Sequence, residues 1–273
     1  MSLDLDVSAL ISCKIGRYRC VMSTTPKIDL LPGHNGVEIA VHRLGAGPAV
    51  IMLHGLSSST HINWVRYGTA KRLADAGFEA IMIDQRVHGK SAAPQNESDY
   101  PADVLLLDMK AVIPQLRLDG FDLVGYSMGS RIALSLVADG LAPRRLILGG
   151  MGLEGLLDWK RRRQFFLDAL DHFNTAKAGD RDFMAIQFMK TVKIDPIALR
   201  HLLLSMSDIS RETLDKIRVP TLVLSADDDD DNGSADALVA ALPDAQRGSM
   251  PGNHMTCIMK PEFGEAIVNY LAA

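Results

Sequence analysis

Gly125-Tyr126-Ser127-Met128-Gly129 constrains this chain more than any other stretch. It follows an apolar run, Phe121 to Val124, and precedes another, Ser130 to Ala138, so it reads as a strand passing into a helix through a sharp turn. The flanking glycines leave room where a Cβ would crowd that turn. The serine hydroxyl is then lifted above the sheet and stands at a helix N-terminus, where peptide N–H groups and the helix dipole favour developing negative charge. Those are the surroundings of a nucleophile. A plain turn between strand and helix uses the same residue types, so the other segments must decide.

Ala49 to Leu53 and Ala80 to Ile83 are continuously apolar, as central parallel strands covered on both faces would be. Val37 to Arg43 alternates apolar and polar side chains, the pattern of a half-buried antiparallel strand. Tyr67 to Ala76, ending at Gly77, and Leu105 to Leu116 have helical spacing. Arg145 to Leu148 and Thr221 to Ser225, the latter launched by Pro220, continue the strands. Strands alternating with helices predict a mostly parallel sheet flanked by helices. Residues 153–218 break the rhythm with helical patterns only, predicting a helical lid inserted over the strand C-termini, where such sheets bind ligands. The expected organisation is an N-terminal arm over residues 1–25, a core over 26–152 and 219–273, and the lid between its two parts.

A length of 273 residues allows one such domain with an insertion. The formal charge of −4 offers no basic footprint for nucleic acid, and no apolar run approaches a membrane span. Cys13, Cys20 and Cys257 are sparse and odd in number, which reads as free thiols in a reducing compartment; a cytoplasmic protein is expected.

A serine at such a turn needs a base to take its proton and a third group to orient the base. His254 lies in a Gly/Pro-bearing loop after a strand expected to end near Met250. His172 and His201 fall in the lid and read as helix-face residues. An acid should follow a late strand and precede the histidine, an interval filled by the five residues Asp227 to Asp231. Mutual repulsion should send most of them into water while one accepts the imidazole N–H; Asp229 is preferred, with Asp228 as the alternative. A calcium or magnesium loop is the competing reading, but a contiguous run lacks spaced ligands, and no metal is expected. His54-Gly55-Leu56 follows the strand at Leu53, and the turn at Gly55 would aim the Leu56 N–H beside the Met128 N–H as an oxyanion pair. Losing one such donor typically costs on the order of 3 kcal/mol.

Taken together, His54-Gly55, Asp84-Gln-Arg-Val-His-Gly-Lys-Ser91, Gly125-Tyr-Ser-Met-Gly129, Pro220 with the strand and acid run after it, and Gly252-Asn-His254 resemble the α/β-hydrolase superfamily, from about Gly33 to Leu271. The resemblance implies an α/β-hydrolase fold with Ser127 as nucleophile, His254 as base, Asp229 as acid, and Leu56 and Met128 as oxyanion donors. It makes Asp84 to Ser91 a structural loop near the site. Val87 stands where that loop often has glycine, so an altered backbone is expected there. Ala226 replaces the glycine common before the acid, which leaves Asp228 open, and Glu154 is a reserve acid from the preceding strand's end.

The resulting expectation is a serine esterase forming an acyl-enzyme, with a small acyl substrate and water as partners and no cofactor, in a monomer or homodimer. Carbon–carbon bond, lactone and thioester hydrolysis and perhydrolysis use the same residues, and a ligand receptor on this scaffold is the non-enzymatic alternative. The aspartate nucleophile of dehalogenases and epoxide hydrolases is absent, which disfavours those reactions. His54, Trp64 and Tyr126 are expected near the substrate; for Trp64, packing against the sheet is the equal alternative. Arg161 to Arg163 reads as a solvated face of the lid rather than an anion grip.

Overall fold

The computed structural model describes residues 25–273, so the expected arm lies outside the described residues apart from Thr25. Eight strands form one sheet: β1 (Lys27–Pro32), β2 (Glu38–Gly45), β3 (Ala49–Leu53), β4 (Glu79–Ile83), β5 (Phe121–Tyr126), β6 (Leu146–Gly149), β7 (Thr221–Ala226) and β8 (Ala245–Met250). Their order is β1-β2-β4-β3-β5-β6-β7-β8. β2 runs antiparallel to both its neighbours, and every pairing from β4 to β8 is parallel. This is the α/β-hydrolase arrangement that the sequence predicts.

β3 is wholly buried because it sits mid-sheet with helices on both faces. Its side chains divide by the two-residue period: Ile51 and Leu53 enter one core, Val50 and Met52 the other. The first core lies under α2 (Val104–Gln115), α3 (Met128–Ala138) and the helices between β6 and β7. The second is closed by α1 (Thr69–Asp75) and by the last helix, Pro261–Ala272, with Trp64 stacked on Phe263 at 5.8 Å. Truncating such a side chain to alanine typically costs about 2–5 kcal/mol through lost transfer energy and the cavity left behind.

β1 was not legible in the sequence. Lys27, Asp29 and the other residues of KIDLLP alternate at a sheet edge, and its side chains are largely outside the core. Its apolar Ile28 and Leu30 are exposed while the polar Asp29 is half-buried, so the apolar side chains mark no inward face.

Between β6 and β7 the chain forms helices only: α4 (Leu153–Leu157), α5 (Trp159–Asp171), α6 (Phe183–Thr191), α7 (Pro196–Ser205) and α8 (Arg211–Leu214). α7 starts by local rules, with Pro196 in the first turn and the Asp195 carboxylate accepting the Ile197 and Ala198 N–H groups at 2.9 and 3.0 Å. Ala198, Leu199, Leu202 and Leu203 of α7 join the first core. A polar seam holds the segment to the sheet side. From α3, the buried Arg131 donates to the carbonyls of Gly155, Leu156 and Ser207, while Asp103 accepts the Ser207 N–H at 2.9 Å. After β7 follow α9 (Ala235–Ala241), β8 and α10 (Pro261–Ala272). None of the described helices is long and apolar enough to cross a membrane.

Candidate active site

The turn at Ser127 joins the C-terminal end of β5 to α3, and its sequence follows from how closely other backbone approaches it. A Cβ on Gly125 would lie 2.4 Å from the Gly129 carbonyl oxygen, and one on Gly129 would lie 2.0 Å from that of Leu53. Both positions therefore demand glycine. Ser127 itself has φ 53° and ψ −115°, strained for a residue with a side chain. Neighbours hold it there: its N–H donates to the Gly149 carbonyl at 2.8 Å, which also accepts the Ser130 hydroxyl at 2.8 Å. Strain of about 1–3 kcal/mol persists only where surrounding structure imposes it, and such places cluster at functional sites.

Three side chains from distant parts of the sequence meet at this turn. The Ser127 hydroxyl donates to His254 Nε2 at 3.0 Å, and His254 Nδ1–H donates to Asp229 Oδ2 at 2.9 Å. Ser127 is half-buried, His254 and Asp229 buried. A neutral imidazole with its proton on Nδ1 satisfies both bonds and leaves Nε2 free to take the serine proton.

Asp228 is exposed and Glu154 accepts the Ser234 N–H at 2.8 Å, so of the carboxylates considered it is Asp229 that meets the imidazole. The aspartate run alternates. Asp227 accepts the Ser249 hydroxyl, Asp229 accepts from His254, and Asp231 pairs with Arg162 of α5 at 3.4 Å, while Asp228 and Asp230 face solvent. The Asp231 N–H donates to Asp229 Oδ1 at 3.2 Å, fixing the second carboxylate oxygen. Three of the five carboxylates take separate partners and two face solvent, and among the described residues no cluster of three His, Cys, Asp or Glu side chains is arranged to hold a metal ion.

The turn after β3 packs against Ser127: a Cβ on Gly55 would lie 3.4 Å from the Ser127 Cβ. Among the described residues, neither the Leu56 nor the Met128 main-chain N–H has an intramolecular acceptor. Free N–H groups beside a serine hydroxyl are the donors that a developing oxyanion needs.

Behind that turn lies a buried polar network. Asp84 accepts the Thr60 N–H at 2.7 Å, His42 Nε2–H at 2.9 Å and the Lys90 N–H at 2.9 Å. Burial opposes its charge, but these donors and the nearby imidazoles hold its carboxyl down to about 2. His54 and His88 are fully buried, and desolvation lowers both; His88 falls to about 3. Both rings are thus neutral at physiological pH.

The expected substrate neighbours are corrected. His54 has Nδ1–H on the Gly55 carbonyl at 2.8 Å and Nε2 accepting the Gln85 N–H at 3.0 Å, leaving no ring nitrogen for a ligand. Trp64 is fully buried against Phe263, the packing alternative considered for it. Tyr126 points into the second core, and its hydroxyl donates to the His254 carbonyl. It braces the loop bearing the base instead of lining a pocket. The two-residue period of β5 holds the signal, since Val124 and Tyr126 share a face. Val87 has φ 76°, a conformation that a β-branched residue rarely adopts.

Elsewhere, His172 pairs with Asp182 at 2.9 Å and His201 stacks on Tyr100 at 5.6 Å. Arg161 pairs with the exposed Asp158 at 2.7 Å. The Cys257 thiol lies 3.1 Å from the Tyr126 hydroxyl, and burial pushes its pKa up, away from thiolate character.

A family model described as the alpha/beta hydrolase fold matches residues 48–207. An epoxide hydrolase of Caballeronia sordidicola is 34% identical over 96 residues, 35% of this chain and 28% of that protein. An N-formylmaleamate deformylase of Pseudomonas putida is 31% identical over 171 residues, 61% of this chain and 60% of the other. In each case the match spans less than two thirds of the relative. Among solved structures, an esterase from Exiguobacterium antarcticum superposes with a TM-score of 0.73 at 23% identity, covering 89% of this chain and 99% of that one; the likeness is one of fold.

Proposed function

The chain belongs to the alpha/beta hydrolase family, and we propose that within it this protein is a serine hydrolase of carboxylic esters or related acyl compounds, with Ser127 as nucleophile, His254 as base and Asp229 as acid. The observation that carries the reading is the unbroken hydrogen-bond chain from Ser127 through His254 to Asp229, at 3.0 and 2.9 Å. Binding alone needs no such alignment.

In this mechanism His254 Nε2 takes the hydroxyl proton as Ser127 Oγ attacks the acyl carbon. The carbonyl π pair moves onto oxygen, where the Leu56 and Met128 N–H groups receive it. Asp229 stabilises the imidazolium and holds its orientation. Collapse of the tetrahedral intermediate expels the alcohol, which takes the proton from His254, and leaves an acyl-enzyme. Water, deprotonated by His254, then attacks the ester carbon; the acid leaves and Ser127 regains its proton.

Residues 153–218 act as a cap in this reading. They leave the sheet at the C-terminal end of β6, the edge where β5 presents Ser127, and their apolar side chains suit a small acyl or alcohol group.

The name of the Caballeronia relative supports a competing reading, epoxide opening, over the matched third of the chain. Ser127 at the elbow, where that chemistry uses aspartate in the family resemblance drawn above, speaks against it. Lactone, thioester and carbon–carbon bond hydrolysis and perhydrolysis remain finer alternatives on the same side chains.

The test is a substrate panel of p-nitrophenyl esters of graded chain length, a thioester, a lactone and an epoxide, run on the native protein and on Ser127→Ala. Turnover of an acyl substrate should fall by about 10⁴-fold or more in Ser127→Ala with the melting temperature preserved. Undiminished turnover in that variant, or epoxide opening as the main activity, overturns the proposal. Failure of a fluorophosphonate to label Ser127 in the native protein would favour the receptor alternative.

A further inference from the structure

The buried imidazole of His88 has no part in the mechanism above, yet it bonds to the turn that carries one of its donors. Leu56 lies between Gly55 and Ser57, and Ser57 has φ 54°, a conformation that side-chain-bearing residues rarely adopt. The Ser57 N–H donates to His88 Nε2 at 3.0 Å. His88 Nδ1–H donates to the Arg86 carbonyl at 2.8 Å, so the ring has one usable tautomer and presents a lone pair to Ser57. Three residues earlier in each segment, Gln85 makes matching contacts: its main-chain N–H donates to His54 Nε2 at 3.0 Å and its amide to the His54 carbonyl at 2.7 Å. The His54 and His88 rings meet edge-on, with centroids 5.1 Å apart. Residues 54–57 are thereby stitched to residues 85–88 at both ends, with the Leu56 N–H between the stitches.

The loop that supplies His88 is itself held in unusual geometry. Val87 has φ 76° and Gly89 has φ 59°, on either side of the histidine. A Cβ on Gly89 would lie 2.2 Å from the Asp84 carboxylate, so Asp84 anchors the loop from within. Strain maintained next to a buried acceptor has a use when the acceptor must be delivered to one point. His88 is at 0% exposure, where a lost partner for the Ser57 N–H is not replaced freely by solvent.

We infer that His88 is a positioning residue of the oxyanion site: its neutral imidazole fixes the Ser57 N–H and so aims the Leu56 N–H at the oxygen of the tetrahedral intermediate. The inference rests on the serine-hydrolase reading of Ser127. It assigns a function to the histidine of the Asp84–Ser91 loop, which the sequence marks only as structural. The role concerns the transition state: a misaimed Leu56 N–H leaves substrate binding in place and weakens stabilisation of the charge that appears only on attack. Protonated His88 could not accept from Ser57, and burial suppresses that form.

Two substitutions separate this role from packing. His88→Leu keeps bulk but removes the acceptor, whereas His88→Gln retains an acceptor oxygen on a side chain of similar reach. With the best p-nitrophenyl ester of the panel, His88→Leu should lower kcat about 10–100-fold with KM within about threefold, a fraction of the loss typical for a whole donor. An alkyl trifluoromethyl ketone, which forms a hemiketal oxyanion when Ser127 Oγ adds to its carbonyl, should lose affinity in step with kcat. His88→Gln should restore most of both. Unchanged kcat in His88→Leu overturns the inference, as does an equal loss in the Leu and Gln variants that tracks melting temperature. If His88→Leu does not fold, Gln85→Met, which removes the amide bond to the His54 carbonyl, is read by the same ratio of kcat to ketone affinity. Ser127→Ala distinguishes the two levels: retained activity there sinks the parent reading, while abolished activity beside an unaffected His88→Leu sinks this inference alone.

Discussion

Arginine–carboxylate pairs occur both on the sheet side of the molecule and in the helices between β6 and β7, in opposite surroundings. On the sheet side, Arg86 and Asp108 are both at 0% side-chain exposure. They make two bonds, Nε to Oδ2 at 2.9 Å and Nη2 to Oδ1 at 2.7 Å, and the Asp99 and His34 carbonyls accept from the rest of the guanidinium. In the helical segment, Arg161 and Asp158 are 76% and 49% exposed, and Arg200 and Asp171 are 38% and 62% exposed. Charge inside the sheet side is an architectural element whose partners are fixed by three segments of chain. The Arg161 and Arg200 pairs on the helices are solvated, and those helices are held by their apolar faces, by Arg131 reaching from α3 and by Arg162 reaching from α5 to Asp231. One part of the chain thus has little freedom to change while the other can vary its surface and lining widely.

The contrast in burial predicts its largest effect at Asp108. Asp108→Ala leaves Arg86 charged and unpaired in the interior and should cost about 3–5 kcal/mol, read from the urea midpoint. A loss below about 1 kcal/mol would mean that the sheet side tolerates charge changes as the helices do.

Acid tests the same region through its histidines. The unfolded chain protonates His88 near 6.5, whereas the folded ring resists until about 3. The unfolded state therefore binds more protons between these values, and stability should fall as pH drops from about 6.5 towards 3. His54 is shifted the same way and adds to the slope. Asp84 contributes in a lower window, its stabilisation present above 3.8 and lost as pH falls towards 2. A melting temperature that stays flat from pH 7 to pH 4 would contradict this account.

Arg131 joins the two regions at the seam. Arg131→Met should cost about 1.5–3 kcal/mol for the lost charged hydrogen bonds. Hydrogen exchange should accelerate in residues 153–209 while β3 to β7 keep their protection; loss of protection across the sheet as well would show that the seam is no boundary. The smallest effect belongs to the solvated pair. Asp158→Ala should change stability by less than about 1 kcal/mol, and less still in high salt.

The central sheet was legible because its physics is local. The unbroken apolar runs at Ala49 to Leu53 and Ala80 to Ile83 follow from burial on both faces, and Gly125 and Gly129 follow from backbone approaching within one atom's width. Ser127 and His254 stood out for related reasons, a turn and a loop that only certain residues can make. Repulsion and chain order point to one acid within Asp227 to Asp231 without separating Asp229 from Asp228, and tertiary placement distinguishes them: the Asp231 N–H on one oxygen of Asp229 and His254 on the other. What could not be read depends on meetings of distant segments. The acceptor that His88 offers to Ser57 and the reach of Arg162 to Asp231 have no local signature. Tyr126 differs, since the alternation along β5 already assigns it to the far face with Val124.

The alternation within Asp227–Asp231 makes the run a matter of phase rather than of charge. The side chains engaged, at 227, 229 and 231, fall on one parity, whereas Asp228 and Asp230 are held by their main chain alone, through the Gly252 carbonyl and the Gly233 N–H. Loss or gain of a single residue there would bring a solvent-facing side chain opposite His254, whereas substitutions at 228 and 230 leave the register intact. Neutral side chains at 228 and 230 would therefore lower the charge of the loop without touching the carboxylate that holds the imidazole. A length polymorphism of one residue is what it cannot absorb.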